Sequence, residues 1–292
     1  MKSKTLLMLS FSGLVSSAMV HGAVFNFTSV EGYNLGALSG QQGWVAGDAG
    51  AGPDPFANVV AGGLSYSGGA VLHNGGDQRL SLQGGGNGRV SIPLASTYAP
   101  GSTFYFSFLF NHDSGDNFLW FALSDRADSD NGSISALSQN QNVGPSGNQV
   151  ATPRLRSRVR DDAGGQSQAN APYDGSPIFD GWGLMQPGET QLIVGEVFFG
   201  GFSQNSTIRV WLNPTSLTKD DNPNFFDNAG RVLSVGDLDT LWIRKGGSAG
   251  EAFVDHIMLG DSWDAVVIPE PSTYAALFGL LALGLIAWRR RR

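Results

Sequence analysis

Cysteine is absent from the 292 residues, and lysine occurs only four times. Without cysteine there is no disulfide scaffold, no thiolate zinc site and no cysteine nucleophile. Charged residues make up 15% of the chain, against roughly 25% in an average soluble domain. So little Lys and Glu excludes a coiled coil or a long-helix protein. Long apolar runs are missing everywhere except near the two ends. Glycine, by contrast, is abundant at 41 residues, but it has no period of three, which excludes collagen. Hydrophobic residues at 41% and aromatics at 11% suffice for a core, so general disorder is excluded as well.

The N-terminus has the three parts of an export signal. Lys2 and Lys4 precede an apolar core at residues 6–15, and small residues lead to Val20-His21-Gly22 before Ala23. Cleavage is expected after Gly22. Ser10, Ser12, Ser16 and Ser17 interrupt the segment too early for an N-terminal membrane anchor, which needs about 20 apolar residues.

The C-terminus reads Pro269-Glu270-Pro271, then an apolar stretch at 274–288, then Arg289, Arg290, Arg291 and Arg292. That stretch predicts one transmembrane helix of about 22 Å at 1.5 Å per residue. This is short of the ~30 Å hydrocarbon core unless the flanking serine, threonine and snorkelling arginines extend it. The four arginines form a cytoplasmic stop under the positive-inside rule. A plain tail anchor explains the helix and the arginines but not the Pro-Glu-Pro placed before them. The three-part pattern resembles the PEP-CTERM sorting signal of exopolysaccharide-producing Gram-negative bacteria, a segment that also ends some ice-binding proteins. The resemblance implies a removable address read by an exosortase, with the inner membrane holding the protein before processing and the cell envelope or matrix as its destination. It says nothing of the cargo.

Setting aside Lys2, Lys4, the four terminal arginines and Glu270 leaves 12 basic and 24 acidic residues in 23–267. Such an acidic region is repelled by nucleic acid, and it has no basic, aromatic-interleaved face of the kind nucleic acid requires. Its pattern is alternation with period two between Gly, Asn, Asp, Ser and Pro clusters. Clear cases are residues 79–82, 89–92, 103–110, 154–160, 192–199, 207–212 and 252–259. No helical period extends over ten residues. Ten or more strands without a linker predict one all-β domain at 23–267, a two-sheet antiparallel sandwich, between a signal peptide at 1–22 and a sorting segment at 268–292. Phe104, Phe106, Phe108 and Phe110 would line one face of a central strand buried on both sides.

Glu31-Gly32-Tyr33, Leu38-Ser39-Gly40-Gln41 and Gly43-Trp44 resemble the opening of concanavalin A-like, laminin G-like jelly rolls. The Phe104 strand fits the same family, and Val210-Trp211-Leu212-Asn213-Pro214 with residues 254–260 and Trp263 resembles its closing half. The resemblance implies a jelly roll, a fold shared by lectins, glucanases and adhesion modules.

Glucanases of this fold carry carboxylates as Glu-x-Asp-x-(x)-Glu on one strand, which places the pair about 5 Å apart across the scissile bond. That pattern is absent. Glu189 and Glu196 fall on opposite faces of any continuous strand, and Glu251 with Asp255 lacks a third acid. His73, His112 and His256 belong to no hydrolase or metalloprotease motif. A non-catalytic protein is expected.

Arg154, Arg156, Arg158 and Arg160 alternate with Leu155, Ser157 and Val159, so a strand here puts all four arginines on one face. They are candidates for binding acidic sugars, because guanidinium pairs bidentately with carboxylate and sulfate. The acid-rich composition favours a second reading, cross-strand pairing with carboxylates. Asp125, Asp128 and Asp130 crowd one loop and are candidate calcium ligands, although their spacing is not that of an EF-hand. Asp220-Asp221-Asn222 reads as a turn. Trp182 between two glycines is the candidate exposed ring, whereas Trp120, Trp211 and Trp242 fall in strand patterns and are expected in the core. No regular threonine array of the kind that binds ice is present. The function expected is a surface or matrix protein that binds, or is embedded in, extracellular polysaccharide.

Overall fold

The computed structural model describes residues 22–47, 57–83, 88–112, 118–126, 131–143, 150–170, 188–246 and 250–268, together with Arg289. The first strands are β1 (Ala23–Phe25), β2 (Gly36–Ala37), β3 (Val45–Gly47), β4 (Ala57–Ala61), β5 (Ser65–Gly68) and β6 (Val71–Asn74). Then come β7 (Gln78–Gln83), β8 (Arg89–Tyr98), β9 (Thr103–His112), β10 (Phe118–Ser124), β11 (Ser133–Val143) and β12 (Val150–Arg160). The last are β13 (Gln166–Asn170), β14 (Gln191–Phe198), β15 (Asn205–Leu212), β16 (Phe225–Val232), β17 (Leu238–Gly246) and β18 (Glu251–Gly260). A single helical turn and a half, α1 (Trp263–Val267), follows β18.

Two large antiparallel sheets result. One runs β16-β15-β14-β9-β18-β7-β4-β2, with β1 also paired to β18, and the other runs β13-β12-β11-β10-β17-β8-β3. The chain changes sheet on either side of β3, between β7 and β8, β8 and β9, β9 and β10, and β13 and β14, and on either side of β17, which is the jelly-roll path. Strands β5 and β6 form a separate hairpin.

The core lies between the sheets. Phe104, Phe106, Phe108 and Phe110 of β9 project into it, and Phe121 of β10 meets Phe106 and Phe108 with centroids 5.1 and 4.5 Å apart. The opposite face of β9 is covered too. Tyr105 and Leu109 join Leu192, Val194, Trp211 and Met258 in a second cluster, closed by Trp263, Val266 and Val267 of α1 and by Leu64 and Val71 from the hairpin region. Burial on both sides is why this strand reads as near-continuous apolar sequence. Across from it, Gly195 stands opposite Phe106, where any Cβ would run into the ring. The segment before β3 closes one end: Phe27, Tyr33, Leu38 and Trp44 are buried together, and Trp44 Nε1 donates to Tyr33 Oη at 3.1 Å.

An isolated five-residue helix is unstable in water, so α1 depends on its seat. Ser262 caps its N-terminus, Trp263 Nε1 donates to the Leu217 carbonyl at 2.8 Å, and Ser107 Oγ donates to the Val266 carbonyl at 2.7 Å. The chain is therefore packed up to Ile268, one residue before the Pro-Glu-Pro. Among the described residues no helix is long and apolar enough to cross a membrane. The predicted helix at 274–288 and the signal peptide, Gly22 apart, lie outside the described residues.

Candidate functional site

The seven-stranded sheet turns Leu155 and Val159 of β12 into the core and places the alternating arginines on the outer face. Register extends that face across five strands. Arg156 is opposite Leu137, Leu137 opposite Trp120, Trp120 opposite Arg244, and Arg244 opposite Arg89. The adjacent row runs Arg158, Ser135, Ala122, Trp242 and Ser91. Five of the twelve basic residues of 23–267 thus share one face, Arg89, Arg156, Arg158, Arg160 and Arg244, while the Arg154 side chain lies outside what the structure describes.

Three guanidinium groups lie over indole rings. Arg158 Cζ is 3.9 Å from the Trp120 centroid, Arg244 Cζ is 4.7 Å from the same ring, and Arg89 Cζ is 4.5 Å from that of Trp242. The two indoles are 6.1 Å apart. Stacking of this kind contributes from about 0.5 kcal/mol at the surface to about 2 kcal/mol when desolvated. It also fixes the plane of each guanidinium; Arg89 and Arg158 are themselves buried, and Arg244 is half-buried. Trp242 is fully buried, and its Nε1 has no hydrogen-bond acceptor among the described residues. Arg156, Arg160, Arg244 and Trp120 are half-buried.

Trp211 and Trp242 are buried, as expected; Trp120 is half-buried, and it stands with Trp242 not between the sheets but on the outer side of the sheet, where arginines cover both rings. Trp211 lies in the second cluster beneath α1. Strands covered on both faces alternate between two buried sets, so periodicity does not reveal which set is the core. In register, Arg156, Arg158 and Arg160 stand opposite Leu137, Ser135 and Ser133 on one side and Asn170, Gln168 and Gln166 on the other. Arg89 and Arg244 were not legible as members of this face, because only the register brings them to it.

Asp125 spends both carboxylate oxygens on the neighbouring Arg126, at 2.8 and 3.0 Å, and Arg126 also reaches Asp162 at 2.8 Å. Asp128, Asp130, Trp182, Pro269, Glu270, Pro271, Arg290, Arg291 and Arg292 lie outside the described residues, whereas Arg289 is exposed. Among the described residues no three His, Asp or Glu side chains converge as a metal site. Lys219, Asp220 and Asp221 form a 3-10 turn, with Asn222 beyond it accepting from the Thr215 and Ser216 amides.

One buried titratable cluster escaped the sequence. At a β-bulge in β18, Asp255 accepts from the amides of Leu64 and His256 at 2.9 and 2.8 Å. Gly75 is packed so closely on this carboxylate that no Cβ would fit. Burial raises Asp255 to about 7, opposed by those amides and by Arg79. His73 and His256 meet edge to face, centroids 5.0 Å apart. Burial lowers His256 to about 4 and, together with His256, lowers His73 to about 3. The cluster binds the β5–β6 hairpin to β18.

Fold and tail together define an exported, antiparallel β-sandwich protein with a C-terminal address. Residues 267–292 match the PEP-CTERM protein-sorting motif. No curated protein sequence matches the chain. Among solved structures, the T. cruzi calreticulin globular domain is similar at 12% identity, over 89% of this chain and 99% of that one, with a TM-score of 0.45. The carbohydrate recognition domain of Emp47p is similar at 14% identity over 78% and 94% of the two chains, TM-score 0.40. The exoplasmic/lumenal domain of VIP36, in its Ca2+/Man3GlcNAc-bound form, is similar at 12% identity over 76% and 89%, TM-score 0.39.

Proposed function

We propose that this is a non-catalytic protein of the cell envelope or extracellular matrix of a Gram-negative bacterium, one that binds anionic extracellular polysaccharide. In this reading an exosortase processes the tail after the inner membrane has held it. The observation that carries the binding role is the outer face of the seven-stranded sheet, where five of the domain's twelve cations are gathered by register in an otherwise acidic domain. Uronate carboxylates and sulfate esters present the planar or trigonal oxygens that guanidinium edges accept. Support for the non-catalytic part comes from the same rows: Arg, Trp, Ser, Ala and Leu occupy them, and neither holds a carboxylate pair for acid–base work.

The test is affinity electrophoresis of the secreted protein in gels containing alginate, hyaluronate or dextran, with and without calcium. Retardation by the two anionic polymers but not by dextran is expected. It should weaken between about 0.05 and 0.5 M salt as the Debye length shrinks, and fall several-fold in Arg156→Ser/Arg160→Ser. Migration unaffected by every polymer would sink the binding role and leave a purely structural matrix protein. New reducing ends or unsaturated products would make it a glycoside hydrolase or lyase instead.

A further inference from the structure

The opposite side of the molecule carries a second arrangement, on the outer face of the nine-stranded sheet beyond the cover of α1. Register places Tyr105, Glu196, Arg209 and Asp227 in one row across β9, β14, β15 and β16. Thr103, Phe198 and Thr207 form the next row. Between them runs a groove of about 500 Å³, walled on one side by Lys219 from the 3-10 turn.

Each polar group in the row is held by another. Glu196 Oε1 accepts from Tyr105 Oη at 2.7 Å and from Lys219 Nζ at 3.0 Å. Arg209 donates in bidentate fashion to Asp227 at 2.5 and 2.9 Å, and its guanidinium lies 4.6 Å from the centroid of Phe225, itself partly exposed. Lys219 is held in place because Asn222 braces its turn, donating to the carbonyls of Ser216 and Thr218 at 2.9 and 2.8 Å.

We propose that this groove binds a neutral, hydroxyl-rich ligand, a segment of uncharged polysaccharide. Its four lining charges, Glu196, Asp227, Arg209 and Lys219, cancel, so it selects neither an anion nor a cation. What remains is a fixed row of alternating acceptors and donors. A sugar hydroxyl both donates and accepts, and it is satisfied where a carboxylate and a cation stand side by side. The threonine hydroxyls extend the row, and Phe198 and Ile208 offer apolar surface to ring C–H groups. The volume lies within the range of about 300–1,000 Å³ typical of ligand sites. Because the partners brace one another, little side-chain entropy is lost on binding. The site is independent of the arginine face, which it is turned away from, so its success or failure leaves that reading untouched.

The test uses the full-length protein in a zwitterionic detergent, since glycoside detergents would compete. Cellotetraose, maltotetraose and a β-1,3-glucan tetramer are the probes, read by intrinsic tryptophan fluorescence and by saturation-transfer NMR. Binding of at least one probe with a Kd at or below about 1 mM is expected. Glu196→Gln/Arg209→Gln should weaken it at least tenfold. Thr103→Phe, at an exposed position, should block it without touching the polar network. Arg156→Ser should leave it unchanged, and near-UV circular dichroism will show that each variant is folded. Absence of binding by every probe at about 10 mM overturns the proposal, as does binding unchanged in both groove variants.

Discussion

Asp255, His73 and His256 each hold a proton equilibrium far from that of the same group in water, and their directions oppose one another. The histidines are lowered, to about 3 and about 4. The stability they confer is complete above about pH 6.5 and is lost as pH falls through those values. Asp255 is raised to about 7, so its contribution is complete below its ordinary value and lost as pH rises toward 7. Between about pH 4 and 6.5 the unfolded chain binds two extra protons and the folded chain one. A net slope of about 1.4 kcal/mol per pH unit follows, with stability falling on acidification. Above pH 6.5 only the Asp255 effect remains and the sign reverses. The melting temperature should therefore peak near pH 6.5. His256 has φ of +46°, a conformation asparagine also tolerates, so His256→Asn should fold and flatten the acid limb. Calorimetry from pH 4 to 8 checks both outcomes; an unchanged acid slope in the variant would assign the pH dependence to other groups.

Among the elements, α1 rests most on its surroundings. Trp263 stacks edge to face on Trp211 at 4.9 Å and is buried with Val266 and Val267. Trp263→Ala is expected to cost about 3–5 kcal/mol, the usual range for removing a buried tryptophan. Urea titration measures the loss, and hydrogen exchange should show residues 263–268 opening before the sheets do. The strands differ in how legible they were. The β9 alternation was plain because four phenylalanines interleave with Tyr105 and Leu109, both sets buried. The Arg154–Arg160 alternation was plain because charge marks one face. Strand β11 shows less, since Ser133 and Ser135 on its outer side sit beside only small or apolar inner residues. Strand β16 crosses an irregularity opposite Ser206 and Ile208, and the period breaks there. The candidate site followed the same rule. Its arginine ladder lies on one continuous strand and could be read directly. Trp120, Trp242, Arg89 and Arg244 come from three other strands and meet it only through register, which no local pattern encodes.

Over the whole molecule, composition averages conceal two opposed distributions: cations concentrated on one sheet face and acids spread elsewhere. The two ends are related as well. β1 pairs with β18, Ala23 opposite Leu259, so the start of the domain and the strand that leads to the sorting motif lie side by side. Five residues, 269–273, separate Ile268 from the apolar stretch at 274. Fully extended, that segment spans at most about 20 Å. Anything that grips residue 274 holds this pole of the sandwich close. β18 is also an interior strand, bonded to β9 on one side and to β7 and β1 on the other. A pull on the C-terminal end of the domain first meets α1 in its seat and then loads β18 along its own axis. Bonds on both flanks share that load in shear, whereas an edge strand would unzip one bond at a time. Single-molecule stretching between residue 268 and Gln83, which pairs with Glu251 at the far end of β18, should find a lower rupture force in Trp263→Ala, with α1 yielding first. A tether on the sorting segment would thus pull on a strand that is held along both of its sides.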